Sequence, residues 1–317
     1  MSQNNSSSVD VENLYVPFIS YKIQFWTYLI MLIPSMVCLM FTLYHLLFDR
    51  TLRNSLNNHI IIIFLILNCL CELTIFPWAL HYFHVEGVWE RSFVFCSIWA
   101  FLDWTFYMIQ TFVLAWGAIE RHILIFHHGC VATRKKRFFF HYLPLFILIS
   151  YCIIFYISIN FLSPCENYYS NDYMLCVAFC IYDNVEYFKW DTVAHQLVPA
   201  LIIIIFSIGL LVRVIAHKIR IHQPVQWRKY QKMTVQLLSI VLIYCIFYLP
   251  YACFMILLFC GYELDQNVSS TLGYTTYMLP LLLPFCCMLT LPELGKRMRK
   301  FQCFARRPRR IASINTM

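Results

Sequence analysis

Long apolar runs separated by short polar segments dominate the pattern along the chain. A helix needs about 20 apolar residues to cross the hydrocarbon core of a bilayer. Seven runs meet this requirement, at residues 26–48, 58–82, 96–127, 138–161, 194–217, 232–260 and 270–292. The period-two alternation of a membrane β-barrel is missing from the sequence. The pattern therefore predicts an all-α membrane protein, a seven-transmembrane helix bundle.

The composition supports a membrane protein with one main domain. The chain is 61% hydrophobic and 13% charged, whereas soluble domains are about half apolar and a quarter charged. We expect an N-terminal tail over residues 1–25, the seven-transmembrane domain over 26–292, and a cytoplasmic segment over 293–317. The last begins with a short amphipathic eighth helix on the membrane surface. The tail lacks the basic and apolar regions of a cleavable signal peptide.

The distribution of basic residues predicts the orientation. Of the 24 Lys and Arg residues, only Lys22, Arg91 and Lys189 lie on the N-terminal tail and the loops of the same side. Loops rich in Lys and Arg stay in the cytoplasm, so we expect an extracellular N-terminus at the plasma membrane. The net charge of +8 thus reflects topology and attraction to anionic lipid, and not nucleic-acid binding.

Short motifs predict covalent modifications on both sides. Asn4 and Asn5 open N-x-[ST] sequons, as does Asn267, and all three fall on the predicted outer side. Cys303 follows the predicted amphipathic helix and is a candidate for palmitoylation. Ser313 follows two arginines, as in the sites of basophilic kinases, although such a short match is weakly specific.

The third apolar run carries the most informative polar residues. Asp103 lies seven residues after Cys96 and eighteen before Arg121, and at 100° per residue all three fall on nearly one helix face. A carboxylate at membrane depth faces the bundle interior or a water-filled cavity. Asp103 is therefore a candidate functional residue, the alternative being a structural polar group.

Motifs at matching spacing continue along the other runs. Trp89 precedes Cys96 by seven residues, and Glu120, Arg121 and His122 follow as a triad. Prolines recur at Pro77, Pro199, Pro250 and Pro284. Over residues 20–305 the chain resembles rhodopsin-like (class A) G-protein-coupled receptors, with the triad at the E/D-R-Y site and the prolines at the family's marker positions. The resemblance implies activation by an extracellular ligand, with signalling to heterotrimeric G proteins through the triad.

Several residues depart from the family pattern. The family's helix-two acid falls on Asn68, and Leu283 and Cys287 replace the Asn and Tyr of N-P-x-x-Y, so the resemblance does not imply an internal sodium ion. Glu72, one turn from Asn68, either supplies the missing carboxylate or bonds a neighbouring helix.

Tyr230 stands where many members place an acid opposing Arg121. We expect Glu120 to pair locally with Arg121, and this receptor to be easily switched on.

The resemblance also implies a ligand site. Asp103 matches the position that binds the ammonium group in amine receptors, and Tyr277 matches the tyrosine that closes over it. The other expected ligand contacts are aromatic: Trp104, Tyr107, Tyr248 and Tyr274. Since no paired serines precede Pro199, the ligand class stays open between a cationic amine and a peptide.

The segment 162–193 is rich in aromatic residues, acids and cysteine, and we expect it to form an ordered lid. The resemblance implies a disulfide from Cys96 to this segment. Cys180 is the first choice of partner and Cys176 the second, and Cys165 then pairs with the remaining cysteine. The alternative is unpaired thiols.

Other function classes lack their signatures. A transporter would show inverted repeats or broken helices with a chain of ionisable groups. An enzyme would show H-E-x-x-H or G-x-S-x-G. No CxxC pairs suggest a metal, and no lysine at membrane depth suggests retinal, so we expect neither catalysis nor a cofactor. The alternatives that stay open are a receptor-like protein without G-protein coupling and, after it, a membrane transporter.

Overall fold

The computed structural model describes residues 19–127, 129, 132–171, 173–220, 224–262 and 265–290. The candidate modification sites Asn4, Asn5, Cys303 and Ser313 lie outside the described residues, and so does the predicted amphipathic helix after residue 292. The side chain of Tyr230 also lies outside them, although its backbone is helical.

Seven helical segments form the bundle. The first three are continuous: α1 (Tyr21–Phe48), α2 (Leu56–His84) and α3 (Phe93–Phe126). Each of the others contains a break or a change of helix type: α4 (Arg134–Arg137, a π-helical turn Phe138–Tyr142 and Leu143–Phe161), α5 (Val185–Asp191, a π-helical turn Thr192–Leu197 and Val198–Arg220), α6 (Pro224–Phe247 and Leu249–Phe259) and α7 (Gln266–Thr276 and Met278–Thr290).

The lengths and hydropathies of these helices fit membrane spans. Six helices qualify directly, and the two halves of α6, bent by 44°, make the seventh. The bend follows Tyr248, where Pro250 has no N–H to donate to the preceding turn. The predicted seven-helix fold is thus confirmed.

Lipid-facing and core-facing residues separate along the helices. Ile30 and Val37 of α1 are more than 60% exposed, as expected for side chains that meet lipid. The interior instead contains α3, which packs against α2, α4 and α5 and buries residues along its whole length, including Val113 and Ala118. A polar group on α3 therefore faces neighbouring helices or a cavity.

The lid, residues 162–184, connects α4 to α5 across one end of the bundle, which we call the lid end. Two short antiparallel strands, β1 (Tyr168–Tyr169) and β2 (Val177–Ala178), pair Tyr169 with Val177. A 3-10 turn over Cys180–Asp183 follows. The sequence placed the start of α5 near residue 194, but the helix begins at Val185.

Two disulfides hold the lid, and the first-choice pairing of Cys96 with Cys180 is wrong. Cys96 is bonded to Cys176, the second choice, and Cys165 is bonded to Cys180. The strand pairing explains this result. Cys176 immediately precedes β2 and lies over the start of α3, whereas Cys180 follows β2 on the side of Cys165.

Candidate ligand-binding site

A cavity of about 490 Å³ opens beneath the lid. This volume lies within the range of roughly 300–1,000 Å³ that ligand pockets occupy. Residues of α1, α2, α3 and α7 form most of its wall, Tyr251 joins from α6, and the lid contributes Tyr173, Met174 and Leu175. The cavity can therefore hold a small molecule or the tip of a larger one.

Asp103 of α3 lies on the cavity wall, where the sequence placed it. Its Oδ1 accepts a hydrogen bond of 2.9 Å from the hydroxyl of Tyr277, at the break between the two halves of α7. Among the described lining residues, Asp103 alone carries a formal charge. A carboxylate with a neutral donor still attracts a cation, because no positive side chain balances it on this wall.

Aromatic rings form the wall between α1 and α7. Tyr28 is 1% exposed, and its hydroxyl donates to the backbone oxygen of Tyr274 at 2.9 Å. The rings of Tyr28 and Tyr274 lie 4.8 Å apart, and Tyr277 lies 6.2 Å from Tyr28. Such π-faces attract organic cations as well as apolar groups.

Most residues predicted to contact a ligand lie together on this wall: Asp103, Trp104, Tyr107, Tyr274 and Tyr277. Tyr248 does not line the cavity. It is fully buried at the bend of α6, with its ring 5.2 Å from that of Tyr107. Tyr248 therefore contacts a residue of the wall, Tyr107, and not the cavity itself.

The sequence missed the contributions of α1 and α2 to the wall. Tyr21, Gln24 and Tyr28 come from α1, while Tyr82 and Phe83 come from α2. No motif marks them, and the only signal is the density of aromatic residues at these helix ends.

Described residues of α4 and α5 contribute nothing to the wall. This agrees with the lack of paired serines before Pro199, since α5 does not face the cavity.

At the opposite end of the bundle, Glu120 and Arg121 are 1% and 3% exposed. The Glu120 carboxylate bonds Nδ1 of His141, at the start of α4. His141 Nε2 lies 2.9 Å from Nδ1 of His59, and His59 Nε2 lies 2.8 Å from the backbone oxygen of Arg53. The sequence did not indicate this chain of hydrogen bonds, since His59 and His141 come from different apolar runs.

The number of protons in these hydrogen bonds determines the net charge of Glu120, His141 and His59 together. The Arg53 carbonyl can only accept, so the three bonds require three protons among the Glu120 carboxyl group and the four ring nitrogens. Two neutral imidazoles supply two of these protons and a protonated carboxyl or an imidazolium supplies the third, so this chain of hydrogen bonds carries no net charge.

A model of the rhodopsin family of seven-transmembrane receptors matches residues 37–290, the part of the chain that holds α2 to α7 and the last turns of α1. The chain belongs to this family. No curated protein matches the chain significantly. The family assignment makes the protein a multi-pass membrane receptor. Its Glu120–Arg121–His122 triad lies near the end of α3 that is opposite the lid.

His122 of the receptor contacts α5. Its Nε2 lies 2.7 Å from the backbone oxygen of Phe206, and this nitrogen carries the proton because a carbonyl can only accept. The rings of His122 and Phe206 also pack edge to face at 5.5 Å. His122 therefore joins α3 to α5.

Glu72 of the receptor bonds both within α2 and to α1. Its Oε1 accepts from the Ser35 hydroxyl at 2.7 Å and from the Asn68 amide at 2.8 Å. The same amide donates to the Pro280 carbonyl of α7 at 2.9 Å. Glu72 and Asn68 thus join three helices where family members place an acid at the position of Asn68.

Proposed function

We propose that this receptor is activated by an extracellular ligand with a positive charge, a cationic amine or a basic peptide, and signals to heterotrimeric G proteins. Its N-terminus lies outside the cell at the plasma membrane. The observation that carries the proposal is the position of Asp103, the one charged side chain among the described residues that line the cavity.

A ligand ammonium group satisfies the electrostatics of this wall. A charged hydrogen bond to a carboxylate is about twice as strong as a neutral one, and the surrounding aromatic rings add cation–π attraction. Tyr277 already donates to Oδ1 of Asp103, so it orients the carboxylate before the ligand arrives.

The shape of the cavity indicates where the rest of the ligand lies. With described wall residues on α1, α2 and α7 and none on α5, the ligand body extends from Asp103 towards Tyr28 and Tyr274. Its apolar part packs there on tyrosine rings.

Signalling requires a second arrangement of the helices that binds a G protein at the Arg121 end. A ligand shifts the population towards that arrangement only to the extent that the ligand binds it more tightly than it binds the present arrangement. In the present arrangement His141 bonds Glu120. We infer that the active arrangement weakens this bond and exposes Arg121 to the G protein.

A receptor-like protein without coupling is the second candidate. It is favoured by Leu283 and Cys287, which are 1% and 0% exposed and put apolar groups in place of the family's Asn and Tyr. Such a protein would bind ligand without activating a G protein.

A screen of cationic amines and basic peptides tests both candidates. G-protein activation would be measured for wild type, Asp103→Asn and, as a control, Glu86→Gln, which alters an exposed acid paired with Lys22. We expect agonists whose potency falls at least about tenfold in Asp103→Asn and stays unchanged in the control. Potent agonists with the same potency on Asp103→Asn as on wild type would contradict an ion pair between Asp103 and the ligand. Binding without activation would favour the uncoupled protein.

A further inference from the structure

Arg91, between α2 and α3, binds the lid through its guanidinium group. Nη1 donates to the Met174 carbonyl at 2.5 Å. Nη2 donates to the carbonyls of Asn171 at 2.7 Å and Tyr173 at 2.9 Å. Nε donates to the Trp89 carbonyl at 3.2 Å, within the same loop. One side chain therefore holds three backbone carbonyls of a four-residue stretch of lid.

The backbone of Arg91 bonds the lid as well. Its N–H donates to Oδ1 of Asn171 at 3.2 Å, and its carbonyl accepts from the hydroxyl of Tyr169. Side chain and backbone thus act on the same segment, which begins at β1 and ends two residues before the Cys176 disulfide.

Burial makes these bonds strong and specific. Arg91 is 6% exposed, and its guanidinium lies 5.2 Å from the ring centre of Tyr82, 5.5 Å from Trp89 and 5.8 Å from Trp99. No salt bridge between described residues involves Arg91, and burial lowers its pKa from the usual value. The lid carbonyls and the aromatic faces therefore take the place of a carboxylate partner.

The turn before Arg91 sets its direction. Glu86 and Gly87 have positive φ values of 54° and 84°, and the Gly87 N–H bonds the Tyr82 carbonyl. A Cβ on Gly87 would meet the hydroxyl oxygens of Tyr21 and Tyr82 at 3.2 and 3.3 Å. The tight turn returns the chain over the end of α2, so that Arg91 points under the lid.

The stretch that Arg91 holds covers the ligand cavity. Tyr173, Met174 and Leu175 line the cavity, and Cys176 bonds Cys96 next to them. The disulfide and the pairing of β1 with β2 hold the two ends of this stretch. The bonds from Arg91 hold the residues between those ends.

We propose that Arg91 is a positioning residue for the ligand site, which holds Asn171 and the stretch 173–175 in place over the cavity as a second clasp beside the disulfide. The inference rests on the proposed function only in taking this cavity as the ligand site. Arg91 acts on the ligand through Tyr173, Met174 and Leu175, and contacts no ligand itself.

Hydrogen exchange on the purified full-length receptor tests the clasp without any ligand. Arg91→Lys keeps the charge but loses the planar fork, and Arg91→Met also loses the charge. We expect the peptide spanning residues 167–178 to exchange at least about tenfold faster in Arg91→Lys, with peptides inside α3 and α7 unchanged. Lys22→Met, which removes an exposed outer cation, is the matched control and should exchange as wild type. If Arg91→Met does not reach the cell surface, Arg91→Lys decides.

Cys71 supplies a probe inside the cavity, because it is a free cysteine on the wall. Methanethiosulfonate reagents convert such a thiol to a mixed disulfide and release methanesulfinate, and mass spectrometry identifies the modified residue. We expect Arg91→Lys to raise the rate at Cys71 several-fold for both the neutral methyl reagent and the cationic 2-aminoethyl reagent, leaving their ratio unchanged. Asp103→Asn should instead lower that ratio.

These readouts separate the inference from the proposed function. Lid exchange and Cys71 labelling that both stay within twofold of wild type in Arg91→Lys would overturn the clasp. Exchange raised equally in the lid and in all helices would overturn it too, since this would show general loosening. If Asp103→Asn leaves the ratio of the cationic to the neutral labelling rate at Cys71 unchanged, this result would count against the proposed cation site alone.

Discussion

Asp103 and Glu120 both lie on α3, but their partners differ in kind. Asp103 bonds a neutral phenol beside an open cavity, whereas Glu120 bonds a buried imidazole that continues to His59. A buried carboxylate is costly unless it is paired. Glu120 therefore depends on His141 in this arrangement, whereas the carboxylate of Asp103 faces an open cavity.

Substituting His141 tests the first of these statements. His141→Leu removes the bond to Glu120 and leaves a buried carboxylate with one donor fewer, so we expect this arrangement to lose stability and basal G-protein signalling to rise several-fold. Tyr142→Phe, which removes a hydroxyl 3.5 Å from His59, is the control. Basal signalling equal to wild type at matched surface expression would contradict the role of His141. The same assay on wild type tests the expectation that the receptor is easily switched on.

Glu72 accepts hydrogen bonds from two helices, and its substitution tests how much these bonds stabilise the bundle. Glu72→Leu leaves the donors of Ser35 and Asn68 without their common acceptor, and we expect it to lower the stability of the bundle by about 1–3 kcal/mol. Glu72→Gln keeps an acceptor oxygen and should unfold near the wild-type temperature. Thermal unfolding of the solubilised receptor measures both. Equal losses in the two variants would show that the charge of Glu72, and not its hydrogen bonds, stabilises the bundle.

At the scale of elements, the sequence predicted what depends on local pattern. Seven apolar runs gave the helices, and the spacing from Cys96 to Asp103 placed the carboxylate on the correct face. The early start of α5 was missed because Val185–Asp191 is polar and aromatic. Its helical signal is the cap by Asn184, which accepts from the N–H groups of Glu186 and Tyr187.

Other features depend on contacts between distant segments. The partner of Cys96 follows from the register of β1 and β2, which sequence spacing does not reveal. The contacts of Glu120 with His141 and of Arg91 with the lid join residues 21 and about 80 positions apart. Only the packing of helices brings such residues together.

Peptide mapping of the intact receptor tests the disulfides. Chymotrypsin cleaves after Phe179 and so separates Cys176 from Cys180. We expect non-reducing mass spectrometry to find the Cys96 peptide linked to the Cys176 peptide, and both to separate on reduction. Linkage of Cys96 to the Cys180 peptide would restore the pairing that the structure contradicts.

At the scale of the whole molecule, the cavity lies off centre, towards α1, α2 and α7. This position predicts which aromatic residues bind the ligand. Tyr21→Ala removes a half-buried ring from the cavity wall, whereas Tyr187→Ala removes a similar ring at the start of α5, away from it. We expect agonist affinity to fall about tenfold in the first variant and to change less than twofold in the second. The reverse order would place the ligand next to α5.

We propose that a cation bound at Asp103 rearranges the helices about the Glu120–His141 bond at the other end of α3. In this proposal Asp103 recognises the charge of the ligand. A pair of agonists that differ only in that charge therefore tests the cation site.

The decisive measurement is a thermodynamic cycle with one substitution in the protein and one change in the ligand. An amine agonist and its uncharged isostere are each tested on wild type and Asp103→Asn. We predict that the substitution lowers the affinity of the amine at least about tenfold, which corresponds to about 1.4 kcal/mol, and leaves that of the isostere unchanged. Equal losses for the two compounds, or no loss for the amine, would contradict a cation site at Asp103.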